Sequence, residues 1–554
     1  MNRRPSKLHL ATSPSDQHAA WFVEAAHRAG LIFTHHADGH LPELSSASVI
    51  ILCGTGALES GEAATLARWV EMGGTVLCVG GTWGLEPVLG LEQAASHSIG
   101  RDWIIPSPEA PWWPKEAKRS AFWGGPQCRS KGADVLLASE AGNVVFSRSG
   151  RWLFFAPHLA QTLAVVLMGH SVETDKPGPG DGSAETMDGI LRSEDGTSLD
   201  WHLDRSAPHK GQPFFAEPWA DILTEIWTRV VLTACDAAGI EPIKFWQWPH
   251  GWEGVASISV DFSDGDPGMA TGLLYTFAKF GIRASWMAGS KGVPMDVFRQ
   301  LKRAEQSLGL LFHGHESAWN KEELRLEMLA LARANGVTSL AAARPQKGGW
   351  QGWDAFYHMS AAAGCRVSLS KGGMQPGTSG AIFGTTRPFI AHGRGGKSTG
   401  VVEIPFLAAL PGLEGSATAP LVDMTCDWNG CFHARMDLAN SPEPGFERSL
   451  QNLVMLLRQR RLLLMGPDQI AHFETHRRSM QVKIDSNGEI ALMSEGSLPG
   501  LTLLTSPKTN LQKYGQGWTP KPVERHGRKM LAWTLDLEAR AVQRLQMDQE
   551  QRAA

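Results

Sequence analysis

The sequence predicts an α/β protein of several domains. Two long stretches alternate short apolar strands with amphipathic helices, a Gly/Pro-rich stretch lies between them, and after Met480 the texture changes to strands and turns alone. At roughly 100–200 residues per domain, 554 residues allow two to four domains, enough chain to bury several cores.

Val49 to Cys53 (VIILC) is a short apolar run rich in β-branched residues and closed by Gly54, the pattern of a buried strand. Ala63, Leu66, Ala67 and Val70 then recur at helical spacing over Gly61 to Met72. Gly73-Gly74 ends that helix, and Thr75 to Val79 is a second strand. Strand, helix and strand with short links imply a parallel sheet; Arg151 to Phe155 reads as a late strand of it. His35, His36 and His40 read as a polar loop. Residues 1–170 are therefore expected as one α/β domain. Residues 171–215, with DKPGPGDGSAETMDG, read as a linker or long loop. Residues 216–480 open with a helix over Pro218 to Ala238 and continue as a barrel-like α/β domain, with strands at Val255 to Val260, Ala284 to Met287 and Leu308 to Phe312. VKIDSNGEIALM carries a hairpin signal and opens a small β-domain over 481–541. Residues 542–554 read as a frayed helix or tail.

Composition narrows the function classes. Fifty-two Lys and Arg against 56 Asp and Glu give a net charge of −4, without the basic surplus of a nucleic-acid binder. No run approaches the ~20 apolar residues of a membrane span. The opening MNRRPSKLHLATSPSD has basic residues but no apolar run behind them, unlike a signal peptide. Seven scattered cysteines without a C-x-x-C fit reduced thiols. A cytoplasmic protein is the expectation.

Two segments could carry chemistry. In SISVDFSDGDP a strand runs out into Asp261, Asp264 and Asp266. Three carboxylates so close repel, and a cation or a proton relieves them; an acidic turn capping the next helix is the bland alternative. In LGLLFHGHESAWN a strand delivers His313 and His315, which lie on one face of an extended backbone and could share a metal. Such a pair alone reads as structural; beside an acidic cluster, also at a strand end, it reads as ligating. Trp350 and Trp353, close in sequence to Arg344, could stack on sugars, with core packing as the default.

These pieces, in order, carry a resemblance. Pro242 to Arg477 resembles the polysaccharide deacetylase (NodB-homology) family: Val255 to Gly265 its aspartate motif, AKFGIRASWMAG its second strand, LGLLFHGHESAWN its histidine motif, ARPQKGGWQGW its arginine motif, VVEIPF a later strand and CFHARMD its final histidine motif. The resemblance implies a distorted (β/α) barrel that removes N-acetyl groups from a carbohydrate with one divalent metal, usually zinc. It makes Asp261 the base, His433 the acid, Arg344 the residue that orients the base, and Asp264, His313 and His315 the metal ligands. Phe262 and Ser263 separate aspartates that are adjacent in the family, which leaves Asp266 as an alternative to Asp264. The residue four after His313 is Ser317 rather than histidine, which leaves His315 as substitute. The rival expectation is a catalytically degenerate barrel that binds glycans or serves assembly.

The stretch LSSASVIILCGTGALESGEAATLARWVEMGGTVLCVGG is similar to class I glutamine amidotransferase-like, flavodoxin-like domains. Active members place a cysteine on a tight turn. Here Cys78 falls inside a strand and Cys53 at a strand end, so both read as buried and structural, and the domain as a non-catalytic module.

Overall fold

A computed structural model describes residues 8–106, 110, 113–184, 187–206, 212–263, 265–314, 319–410, 418–441, 445–485, 488–513 and 518–547. The chain packs into two compact units. One comprises Met1–Ala164, Ile222–Gly251 and His476–Ala554; the other comprises Val165–Asp221 and Trp252–Thr475. These divisions differ from the expected ones at three places. Residues 171–206 belong with the barrel-like stretch rather than between domains; Ile222–Gly251, which holds most of the helix Trp219–Ala238 expected to open that stretch, belongs with the N-terminal α/β stretch; and the residues from His476 onward pack with the N-terminal α/β stretch rather than alone.

In the first unit the apolar runs at Val49–Cys53 and Thr75–Val79 are strands in which every residue is buried. The intervening helix is Ser60–Glu71, opened by a reciprocal cap between Glu59 and Glu62 and followed by Gly73 at φ +109°. Leu66, Trp69 and Val70 press its apolar stripe onto Ile50, Leu52, Val76 and Phe154. Burial of each such side chain contributes about 1.5–3 kcal/mol. Five parallel strands follow the order Thr34–His36, Leu8–Thr12, Val49–Cys53, Thr75–Val79, Trp152–Phe155, and two antiparallel strands, Val144–Ser149 and Asp134–Ala138, extend the sheet. The order second-first-third-fourth-fifth is one of the common doubly wound ones. His35 and His36 thus lie on an edge strand, not in a loop. At the sheet's C-terminal rim, Asp16 accepts from His18 N (2.8 Å), Thr55 N (3.0 Å) and His158 Nε2 (3.0 Å). Gly54 permits this, since a Cβ there would sit 1.8 Å from an Asp16 carboxylate oxygen.

The same unit holds two four-stranded antiparallel sheets. One runs Lys244–Phe245, Leu498–Thr505, Arg528–Leu537, Lys521–Arg525; the other runs Gln481–Ile484, Glu489–Met493, Val542–Met547, Leu511–Lys513. The second contains the hairpin read from VKIDSNGEIALM. It also corrects the tail reading: Val542–Met547 is an inner strand with Leu545 fully buried. One buried position in six residues left too little periodicity to show this in the sequence.

The second unit is built on a ten-stranded, almost wholly parallel sheet. Its order is Phe389–His392, Ser398–Glu403, Val367–Ser368, Ala343–Pro345, Ser307–Phe312, Ala284–Ala288, Val255–Phe262, Cys431–Asp437, Ala408–Leu410, with Leu463–Leu464 also beside Val255 and Ala256. Only the first pair is antiparallel. Among the described residues the two end strands do not pair, so the sheet is an open one. Its curl follows from side-chain reach. Arg344 and Asp261 lie on strands with two others between them, about 14 Å apart on a flat sheet at ~4.8 Å per strand, yet the two side chains form an ion pair. The Gly/Pro-rich segment is tied to this unit by reciprocal backbone hydrogen bonds between Val172 and Gly352, at 3.0 and 2.9 Å, and by burial of Ser193, Glu194 and Asp204. Its anchors are polar and backbone groups, which leave no apolar pattern in the sequence.

Candidate active site

The strand Val255–Phe262 alternates apolar residues with Ser257, Ser259 and Asp261, and all eight residues are buried. Alternation puts the three polar side chains on one face. On the neighbouring strand, in parallel register, His433 and Arg435 stand opposite Ser257 and Ser259. Arg344 joins them from across the curl.

One hydrogen-bonded chain connects these groups. His433 Nδ1 donates to Ile404 O at 3.0 Å, so its Nε2 accepts from Ser259 Oγ at 2.9 Å. Arg344 Nη1 donates to the same Ser259 oxygen at 2.9 Å, and Nη2 pairs with Asp261 Oδ1. Arg435 Nε donates to Asp261 Oδ2 at 2.7 Å. Asp261 is 1% exposed, while Arg344 and His433 are fully buried. Two guanidinium groups on one carboxylate favour its ionised form. Burial, followed by the Arg344 charge, presses the His433 imidazole down to about 3, so it is neutral at ordinary pH. Burial also draws Arg435 down to about 10.

Further buried titratable groups surround this chain. Glu403 Oε1 accepts from the backbone of Ser370 and Lys371, each at 2.9 Å. Lys371 Nζ donates to Met168 O at 3.1 Å and lies over the rings of Trp350 (4.2 Å) and Phe383 (4.4 Å); burial holds it at about 7. Glu194, from the segment expected as a linker, accepts from Met374 N at 2.5 Å and Thr378 Oγ1 at 3.2 Å, and burial pushes it up to about 7. Arg435 reaches Met374 from its other side.

Of the residues singled out in the sequence, the structure joins Asp261, Arg344 and His433 through Ser259. Asp264 and His315 lie outside the described residues. His313 is described: its half-exposed ring has Nδ1 3.7 Å from Glu327 Oε2, and it packs so closely on Gly289 that a Cβ there would sit 2.4 Å from His313 Cε1. Asp266, the alternative ligand, is engaged as a helix N-cap: its Oδ1 accepts from Gly268 N at 2.6 Å and Met269 N at 3.2 Å. Among the described residues no three His, Cys, Asp or Glu side chains converge as metal ligands would. Trp350 is a core residue. It is fully buried, packed against Phe356 and Tyr357, and its Nε1 donates to Gly352 O. No ring face is left for a sugar in this arrangement. Trp353 is half-buried, with Nε1 on Gly169 O at 2.8 Å.

Sequence reasoning missed Ser259 and Arg435. Both could have been found by period: Ser259 stands two residues before Asp261, and Arg435 two after His433, so each shares the marked residue's face. Glu194 had no such signal. In the first unit, Cys53 and Cys78 are fully buried, and burial pushes both thiols well up, which keeps them protonated. No disulfide joins any of the seven cysteines.

No protein-family model matches the chain, and no curated protein matches it. Among solved structures it is similar to the carbohydrate deacetylase Agd3, at 8% identity and TM-score 0.41 over 99% of both chains. It is similar to a family 4 carbohydrate esterase from Streptomyces lividans solved with acetate, at 13% identity and TM-score 0.26, over 38% of this chain and 92% of that one. It is also similar to BA3943, a family 4 pseudoenzyme from Bacillus anthracis, at 8% identity and TM-score 0.27, over 40% of this chain and 66% of that one. At these values none of the three decides this chain's chemistry. No described helix is long and apolar enough to cross a membrane.

Proposed function

We propose that the curled-sheet unit is a hydrolase of the polysaccharide deacetylase type, removing N-acetyl or related acyl groups from a carbohydrate. The observation that carries this reading is the joining of three separated sequence motifs, at Asp261, Arg344 and His433, in one buried hydrogen-bonded chain. Arg344 and Arg435 keep Asp261 ionised, the form a base must hold before it accepts a proton. His433 starts neutral, so it must gain a proton before giving one to a leaving amine. Asp264, His313 and His315 would hold a divalent ion, zinc in the first instance, which when bound polarises an amide carbonyl and acidifies a water. The N-terminal sheet is read as an amidotransferase-like module without a working cysteine.

A second reading has its own support. Both oxygens of Asp261 and both ring nitrogens of His433 are already engaged, and all are buried, as a degenerate, glycan-binding barrel would have them. Turnover of N-acetylated oligosaccharides, with elemental analysis of the purified protein, decides between the two. On the hydrolase reading about one metal ion is bound, and Asp261→Asn and His433→Ala keep it while losing roughly 10²–10⁴-fold in turnover. Folded Asp261→Asn as active as the parent, or a parent that retains glycan without hydrolysing it, rejects the hydrolase.

A further inference from the structure

Asp261, Arg344 and His433 are buried, so a carbohydrate cannot touch them as they stand. On the hydrolase reading something must move. Ligands of parallel α/β sheets gather at the C-terminal ends of the strands. At that end, one loop follows the strand Ala343–Pro345 and another follows Val367–Ser368. The strap Leu191–Leu199 lies against both. On the first loop, Trp350 N donates to Leu191 O at 2.9 Å and Arg192 pairs with Gly349. On the second, Ser193 Oγ donates to Gly372 O at 3.1 Å, and Glu194 accepts from Met374 N and Thr378 Oγ1. Met374 in turn meets Arg435, which holds Asp261. Met374 thus links the strap to the Asp261 clamp. Hydrogen bonds do most of the fastening. The strap buries one apolar side chain, Leu199, beside the polar Ser193 and Glu194. Each hydrogen bond contributes only about 0.5–1.5 kcal/mol net, because water replaces it when the strap lifts. Segments with few buried apolar contacts open well below the cost of global unfolding, and lids are drawn from them.

We propose that Leu191–Leu199 is a lid on the C-terminal end of the curled sheet, released from both loops together to admit the carbohydrate to Asp261 and His433. The proposal rests on the hydrolase reading, and its test separates the two.

A reversible lock on the full chain provides that test. Arg192 and Gly349 form a non-hydrogen-bonded antiparallel pair, in which Cα atoms lie about 4.5 Å apart, within disulfide reach. Gly349 has φ −53°, which any residue adopts. The double variant Arg192→Cys, Gly349→Cys is compared with itself, oxidised and reduced, so folding is held constant. The native cysteines form no disulfide, so reductant acts on the introduced pair alone. Two readouts are taken: turnover of N-acetylated oligosaccharides, and amide hydrogen exchange at Met374 relative to Val255–Phe262. Met374 lies on the other loop from the lock, so it reports release of the whole strap. Oxidation should slow Met374 exchange ten-fold or more and lower turnover ten-fold or more, with both restored by reductant. Met374 exchange indifferent to oxidation, or full turnover with the lock closed, would each overturn the lid. A parent without turnover rejects the hydrolase reading by itself, and Met374 exchange still decides whether the strap opens.

Discussion

The strands Val49–Cys53 and Val255–Phe262 each bury every residue, but they bury different things. The first sends only apolar side chains and one thiol into its surroundings. The second alternates apolar residues with Ser257, Ser259 and Asp261. An apolar strand is held by burial and packing, so its loss is graded with the volume removed. A strand that buries a carboxylate and hydroxyls is held by partners, and each group left unpaired costs its desolvation. The second strand therefore depends on residues distant in sequence. Such a buried polar interior is also where perturbed groups collect, which is why the functional reading rests there.

That contrast can be broken most directly at Asp261. Asp261→Ala leaves Arg344 and Arg435 buried without their carboxylate, and should cost about 3–5 kcal/mol in denaturant unfolding followed in the curled-sheet unit. A loss below about 1 kcal/mol, within surface-like behaviour, would show that the clamp is not what holds this strand.

On the apolar side, Ile51→Ala should cost about 2–5 kcal/mol and Ile51→Val about 0.5–1.5 kcal/mol, in proportion to the cavity left. If the two cost the same, the strand is not close-packed as described.

The pH dependence separates the regions more gently. His433 is held down to about 3 by burial, whereas an unfolded chain takes up that proton near pH 6.5. As pH falls from about 6.5 toward 3, the unfolded state gains the proton first, so His433 contributes a loss of stability across that window. The urea midpoint of the curled-sheet unit should fall there, and His433→Asn should remove part of the slope. Identical slopes for the two proteins would place His433 elsewhere than in the buried chain.

The smallest expected effect is at Asp266. As a helix cap, Asp266→Ala should cost about 1 kcal/mol and leave any bound metal in place. Loss of stoichiometric metal in that variant would instead make Asp266 a ligand, the alternative its spacing from Asp261 left open.

The sequence by itself determined most of the strands and helices that position these residues. Apolar periodicity is a local property, and runs such as Val49–Cys53 and Thr75–Val79 state their own conformation. The apolar run ends at Val260, one residue short of Asp261, and the resemblance alone marks His433; the strands Val255–Phe262 and Cys431–Asp437 contain them. Tertiary structure decided what joins them. Arg344 meets Asp261 only because the sheet curls across two intervening strands, and Arg435 meets it only because the Cys431–Asp437 strand enters the sheet beside Val255–Phe262. Glu194 reaches the neighbourhood of Arg435 through a segment whose composition reads as solvent-facing loop. Nor could Trp350 be told from a sugar platform until Phe356, Tyr357 and Lys371 closed around it. Each of these depends on which distant elements become neighbours. Long-range pairing sets that, and it leaves no period in the chain.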